Sequence, residues 1–341
     1  MFEAMPYDEE KYQRAKKHWD ELAKPLHGMG LFEELISRIE GMPNAGGLKK
    51  RCVLVFCADN GVVEEGVTQT GSEVTATVAE NMARGDATVC IMAKTAGADV
   101  FPVDIGMCRA AEGVRDEHIL RGTHNFYQTR AMSREECLRA VKKGASLARE
   151  FAQKGYGVIA AGEMGIGNTT TAGAVASVLL DLPPRLVTGK GAGLSPAGLE
   201  RKIQVIEQSV ARLQPDREDA LDVLSKVGGL DIAGMCGAFL GGAQAGIPVI
   251  IDGVISAVAA LCAAKLCPQS KKYMIASHLS GEPAAKYVLD SLGFAAPIRA
   301  DMALGEGTGA VALLPLLDMA YAVFREMICF SQTDIEEYKP L

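Results

Sequence analysis

Hydrophobic and polar positions fall into two textures along the 341 residues. Residues 8–24 and 31–41 carry apolar side chains at helical spacing among many charges, and the run KPLHGMG at 24–30 separates them. This spacing predicts two helices and a turn. After Pro43, short apolar runs alternate with helical stretches, as βαβ units require. The runs are CVLVFC at 52–57, ADVFPVDI at 98–105, YGVIAAG at 156–162, IPVIID at 247–252, KYMIAS at 272–277 and PIRADMAL at 297–304. None alternates in period two, so helices are expected on both faces of a mostly parallel α/β sheet of about six strands. The stretch 310–330 is again apolar with helical period. Residues 1–42 and 311–341 are therefore expected to form a small helical domain from both chain ends, beside a large α/β domain at 43–310. The polar stretch 213–226 reads either as a boundary or as an exposed helix, and the chain is not divided there.

The residues that succeed each apolar run carry the chemistry. Asp59, Asp104, Glu163, Asp252, Glu282 and Glu306 stand at or just after the proposed strand ends, among glycines and hydroxyls. Open α/β sheets place their ligand crevice at that edge. The run GEMGIGNTTT at 162–171 passes from a strand into an Ala-rich helical stretch, where free backbone N–H groups and the helix dipole favour a phosphate. A plain helix cap explains the same residues equally well. A second glycine cluster, 189–193, leads into a helix with Arg201 and Lys202, cations that suit a phosphate or simply face solvent. Glu306 lies between Gly305 and Gly307, and partial burial there would raise its pKa toward that of a useful general base. A turn carboxylate capping the next helix is the alternative.

Composition narrows the function. Hydrophobic residues make up 48% and charged residues 23%, the balance of a globular core, and the net charge of −7 offers no footprint for nucleic acid. The nine cysteines lack paired CxxC spacing and the five histidines show no HxH or HxxxH, so neither a disulfide framework nor a zinc site is expected. Reduced thiols, no signal-type N-terminus and no uninterrupted run of eighteen apolar residues predict a cytoplasmic protein without membrane association. The glycines at 162–167 fall as GxxGxG, which is neither the dinucleotide fingerprint nor a Walker A loop, and no GxSxG elbow occurs.

Taken in order, the motifs resemble the nicotinate-nucleotide–dimethylbenzimidazole phosphoribosyltransferases of cobamide lower-ligand activation. The matches are Lys24-Pro25, Ala58-Asp59 with Gly61-Val62, Glu73-Val74-Thr75, GEMGIGNTT at 162–170, 191–202, Gly228-Gly229-Leu230-Asp231-Ile232, 248–253, Ser280 with Glu282-Pro283, and GEGTG at 305–309. The resemblance implies a Rossmann-like α/β domain, a homodimer, and no metal or organic cofactor. It implies transfer of the 5-phosphoribosyl group from nicotinate mononucleotide to an aromatic base, with Glu306 as the general base. Gly165, Gly167, Asn168, Gly191 and Lys202 would hold the 5′-phosphate, Glu163 and Asp252 would lie near the ribose, and Ser280 and Leu304 would also touch substrate. Three positions depart from the family: Ser72 where glutamine often lines the base pocket, Asn60 where histidine is common, and Ala303 where arginine often stands. These departures motivate a second reading, one chain of a heterodimer that uses phenol or p-cresol. A nucleotide-dependent oxidoreductase is the remoter third.

Overall fold

The computed structural model describes residues 2–336 and residue 338. In chain order the elements begin with α1 (Glu9–Glu21), α2 (Leu31–Glu40), β1 (Arg51–Ala58), α3 (Glu73–Arg84), α4 (Thr88–Thr95), β2 (Ala98–Gly106) and β3 (Arg115–Asp116). Next come α5 (Arg134–Gln153), β4 (Val158–Met164), α6 (Asn168–Leu180), α7 (Pro184–Val187), α8 (Pro196–Leu213), α9 (Ala220–Val227) and α10 (Leu230–Ala245). The chain continues through β5 (Val249–Ile251), α11 (Val254–Leu266), β6 (Met274–Ala276), α12 (Ala284–Leu292) and α13 (Thr308–Glu326).

The six strands form one sheet in the order β3-β2-β1-β4-β5-β6, and every neighbouring pair is parallel. Five of the six expected runs are strands. The run at 297–304 is not: it makes one isolated bridge, His278 to Ile298, and then turns away through exposed Arg299, Ala300 and a left-handed Asp301. A sheet edge that meets Pro297 and a left-handed residue within five positions cannot extend its ladder. The sixth place belongs to β3 at the opposite edge, two residues long and too short to leave a hydrophobic run.

Side chains alternate between two cores, as the strand period demands. Leu54, Phe56, Ile159, Ala161, Val249 and Ile251 join the core under α5, α6 and α8 to α12. Val53, Val55, Val158, Ala160, Ile250 and Ile275 join the core under α1 to α4 and α13. Both chain ends meet on this second face: His18 Nε2 lies 2.8 Å from the Phe324 carbonyl, Trp19 packs 5.1 Å from the Phe324 ring, and Leu22 bridges to Cys329. Lys24 is buried there, 2.7 Å from Glu33. The helix α13 runs unbroken through residue 310, and the polar stretch 213–226 leads into α9 behind the Asp219 N-cap. By length and composition α13 could cross a membrane, and 56% of its most apolar window is buried inside the protein.

On the first face α5 and α10 touch backbone to backbone. A Cβ on Gly144 would come within 1.9 Å of the Gly234 carbonyl oxygen, and one on Gly237 within 2.0 Å of that of Val141. No rotamer relieves a clash with backbone, so the helices must separate. Gly237→Ala is expected to destabilise the fold by about 1–3 kcal/mol, read as a lower midpoint in urea denaturation. An unchanged midpoint would mean that the two helices are not in backbone contact.

Candidate active site

The strand order reverses direction between β1 and β4, so the loops after these strands part and leave a crevice at the carboxyl edge. A cavity of about 300 Å³ opens there. Glu163, Gly165, Gly167, Asn168, Gly191, Asp252, Ser280, Leu304 and Glu306 all line it, brought together from five separate segments of the chain. Lys202 and Ser72 are not part of the wall. Lys202 is fully buried beneath it, with Nζ 2.7 Å from Thr169 Oγ1 and 3.2 Å from the Gly189 carbonyl. Its removal from water lowers its pKa to about 8. Ser72 precedes α3 without capping it, and the wall is built instead from Val67, Thr68, Gln69 and Thr70. The long amide absent at position 72 is therefore present three residues earlier.

Carboxylates dominate the floor. Glu163, at the end of β4, accepts a hydrogen bond from Asn168 Nδ2, and the same amide nitrogen donates to Asp231 Oδ2 at 3.0 Å. Burial, followed by the neighbouring Asp231 charge, raises the Glu163 pKa to about 8. Burial likewise lifts Asp231 to about 6. Two carboxyls that share one amide in a dry site cannot both ionise cheaply, so near neutrality Glu163 holds a proton. A protonated Glu163 can donate to a ligand hydroxyl, which an ionised one cannot. Glu306 is half-buried on the loop before α13, and burial raises its pKa above the usual carboxylate value.

Glycine and amide groups shape the wall at the start of α6. Thr75 Oγ1 accepts from Ile166 N at 3.1 Å and Asn60 Nδ2 donates to the Ile166 carbonyl at 3.2 Å, so both hold the loop that enters α6. Gly191 N donates to Glu282 Oε1 at 3.1 Å. An incoming anion must therefore share or displace that carboxylate. Glu282 lines the cavity as a member of the expected carboxylate mouth, and His278 and Gln69 line it although the sequence assigned them no substrate contact. His278 is buried, and its place two residues after β6 was the available signal. For Asp231 the signal was a lone acid in the first turn of an otherwise uncharged helix.

Two expected members of the mouth are absent from it. Asp59 accepts from Cys108 N at 2.7 Å, while Asp104 accepts from Met107 N at 2.7 Å and pairs with Arg121 at 2.9 Å. Both brace local loops. Among the described residues one group of potential metal ligands gathers, Asp104, Asp116 and His118. It lies outside the cavity wall, and Arg121 supplies its positive charge.

The phosphoribosyltransferase family model DBI_PRT matches residues 4–335. The chain belongs to this family. It is 40% identical over 335 residues to the nicotinate-nucleotide–dimethylbenzimidazole phosphoribosyltransferase of Acetivibrio thermocellus, covering 97% of this chain and 95% of that protein. It is 41% identical over 338 residues to the enzyme of the same name from Clostridium acetobutylicum, covering 98% and 96%. The crystal structure of CobT from Thermus thermophilus superposes with a TM-score of 0.89 at 36% identity, covering 96% of this chain and all of that one. Neither the phenol-using nor the oxidoreductase alternative gains support from these relatives.

The buried acids make stability fall with pH. Glu163 binds its proton in the folded state up to about pH 8, whereas the unfolded chain releases it near 4.5. Between those values the folded state carries the extra proton, so raising the pH favours unfolding. Glu163→Gln, a neutral isostere of the protonated acid, is expected to raise the melting temperature relative to wild type at pH 8 and to leave it nearly unchanged at pH 4. Equal differences at both pH values would place Glu163 in a hydrated environment.

Proposed function

We propose that this protein is a nicotinate-nucleotide–dimethylbenzimidazole phosphoribosyltransferase. It transfers the 5-phosphoribosyl group of nicotinate mononucleotide to a lower-ligand base such as 5,6-dimethylbenzimidazole, releasing nicotinate and giving an α-riboside 5′-phosphate for cobamide assembly. The observation that carries this reading is the gathering of Glu306 and Glu163 in one cavity, with Glu163 Oε1 against Gly305, within a chain similar end to end to enzymes of that name.

Nicotinate departs from a pyridinium-type N-glycosidic bond and needs little acid assistance. The work left to the protein is to align the incoming base on the opposite face of C1′ and remove its proton. Glu306 is the general base. Its raised pKa supports the role, because burial makes the carboxylate a stronger base. Protonated Glu163 and Ser280 bind ribose and phosphate oxygens. The Gly165, Gly167, Asn168 and Gly191 backbone receives the 5′-phosphate, with the Lys202 charge beneath it. Lys202 acts through Thr169 and the field rather than by contact, since its ammonium is enclosed. Leu304 and the 67–70 segment cover the base, and the Gln69 amide sets polar complementarity there.

A homodimer and a cytoplasmic location belong to the same reading. Exposed Ile91 and Met319, on the contacting helices α4 and α13, supply apolar surface for a second copy. All nine cysteines are free, as a reducing compartment keeps them.

Chromatography of nicotinate released from nicotinate mononucleotide tests the reaction directly. Release is expected to depend on added 5,6-dimethylbenzimidazole, and folded protein that releases none with this base or with adenine would overturn the proposal. Glu306→Gln should lower kcat about 10²–10⁴-fold with the fold intact. In the wild type, kcat should fall as pH drops through the raised Glu306 pKa, because protonation removes the base. The acid limb should be absent in the variant.

A further inference from the structure

Glu306 has a left-handed backbone, φ 62°, between Gly305 at 87° and Gly307 at 91°. A side chain at such a position is strained by roughly 1 kcal/mol or more, so contacts elsewhere must hold the loop there. The helix after this loop, α13, starts behind Gly307 and gets no side-chain cap from that residue. Its first N–H groups still need acceptors.

They find one in a carboxylate from another strand. Asp252, the residue after β5, accepts from Gly307 N through Oδ2 and from Ala310 N through Oδ1, both at 3.0 Å. Asp252 is itself fixed at both ends of its peptide: its N–H donates to Ser256 Oγ at 3.2 Å, and its carbonyl accepts from Ser277 Oγ at 3.1 Å. His278 closes the arrangement. A Cβ on Gly309 would lie 1.9 Å from His278 Nδ1 and 2.9 Å from Asp252 Oδ1, so the ring and the carboxylate are close neighbours across a residue without a side chain.

We infer that Asp252, backed by His278, is the positioning residue of Glu306: it caps α13 from β5 and thereby fixes the direction in which the Glu306 carboxylate enters the cavity. This rests on the reading of Glu306 as general base and replaces the expectation that Asp252 serves the ribose. Both Asp252 oxygens are engaged by backbone N–H groups, and the residue is 3% exposed. Burial raises its pKa above the usual carboxylate value, and the N–H donors of α13 oppose that rise.

A double-mutant cycle in the full-length protein decides the matter. Asp252→Asn keeps the size but replaces one acceptor by an NH₂ facing a backbone N–H. It is expected to lower kcat about 10–100-fold, on the scale of a misplaced reacting group, with the KM for nicotinate mononucleotide within about twofold. In the Glu306→Gln background the same change should cost less than about twofold more, since the base it positions is gone. A raised KM with unchanged kcat would make Asp252 a substrate ligand and overturn the inference. Full multiplication of the two losses would do the same. If Glu306→Gln alone turns over like wild type, the general-base reading falls and takes this inference with it. A slow Glu306→Gln variant with multiplying losses removes only the inference. Circular dichroism and melting temperature establish folding, and should Asp252→Asn fail to fold, His278→Gln enters the same cycle with the same expected pattern.

Discussion

A parallel strand buried on both faces can satisfy its backbone only through neighbours on both edges, and β1 is that strand. It pairs with β2 on one side and β4 on the other over nearly its full length. The chain must leave β1 in one direction, build β2 and β3, and return to build β4, β5 and β6 on the far side. Helices have to cover each face on the way, so the loops after β1 and β4 are drawn apart at the carboxyl edge. The cavity is thus a consequence of how the sheet is wound. Residues as distant in sequence as Val67 and Glu306 line it because strands end there.

Having gathered carboxyls at that edge, the fold treats them in different ways. Asp252 meets the start of α13, where the helix dipole and free N–H groups suit an anion. Glu163 and Asp231 meet one amide between them, and of the two Glu163 holds the proton near neutrality. Glu282 lies across from Lys202 and takes the Gly191 N–H. With its pKa raised to about 8, Glu163 can act as a neutral donor in the same site as the Glu306 carboxylate. A site that binds a phosphorylated sugar benefits from this, because a floor of fully ionised carboxylates would repel the substrate.

How much of this was legible in the sequence depended on the kind of signal. Strands with β-branched and aromatic runs announced themselves, as did α1 and α2 with their regular apolar spacing. The glycine-rich loops at 162–168 and 305–309 stood out because backbone conformation there demands glycine. The run at 297–304 misled because apolar content without a pairing partner does not make a strand, and β3 escaped because two residues carry no period. Ser72 and Lys202 show a different limit. Their motifs are close to the site in sequence, but a helix start turns one aside and a glycine loop covers the other. Whether a side chain reaches a cavity is decided by direction, which spacing in a single sequence does not encode.

The three departures from the family pattern separate in the same way. Asn60 sits under the loop that enters α6 and holds the Ile166 carbonyl, so it shapes that loop without touching the cavity. Ala303 lines the cavity and brings no charge, which leaves Lys190 on the wall and Lys202 beneath it as the nearby cations. With a guanidinium missing, the phosphate recognition proposed for this site would lean on backbone N–H groups and the N-terminus of α6, donors whose strength depends on a dry, fixed geometry. Burial of Lys202 then has a purpose: an enclosed ammonium is poorly screened by water and salt, so its field reaches the wall at greater strength than a surface lysine's would. A phosphate site with fewer cations can in this way remain a phosphate site, provided the loop at 189–193 keeps solvent from the charge it covers.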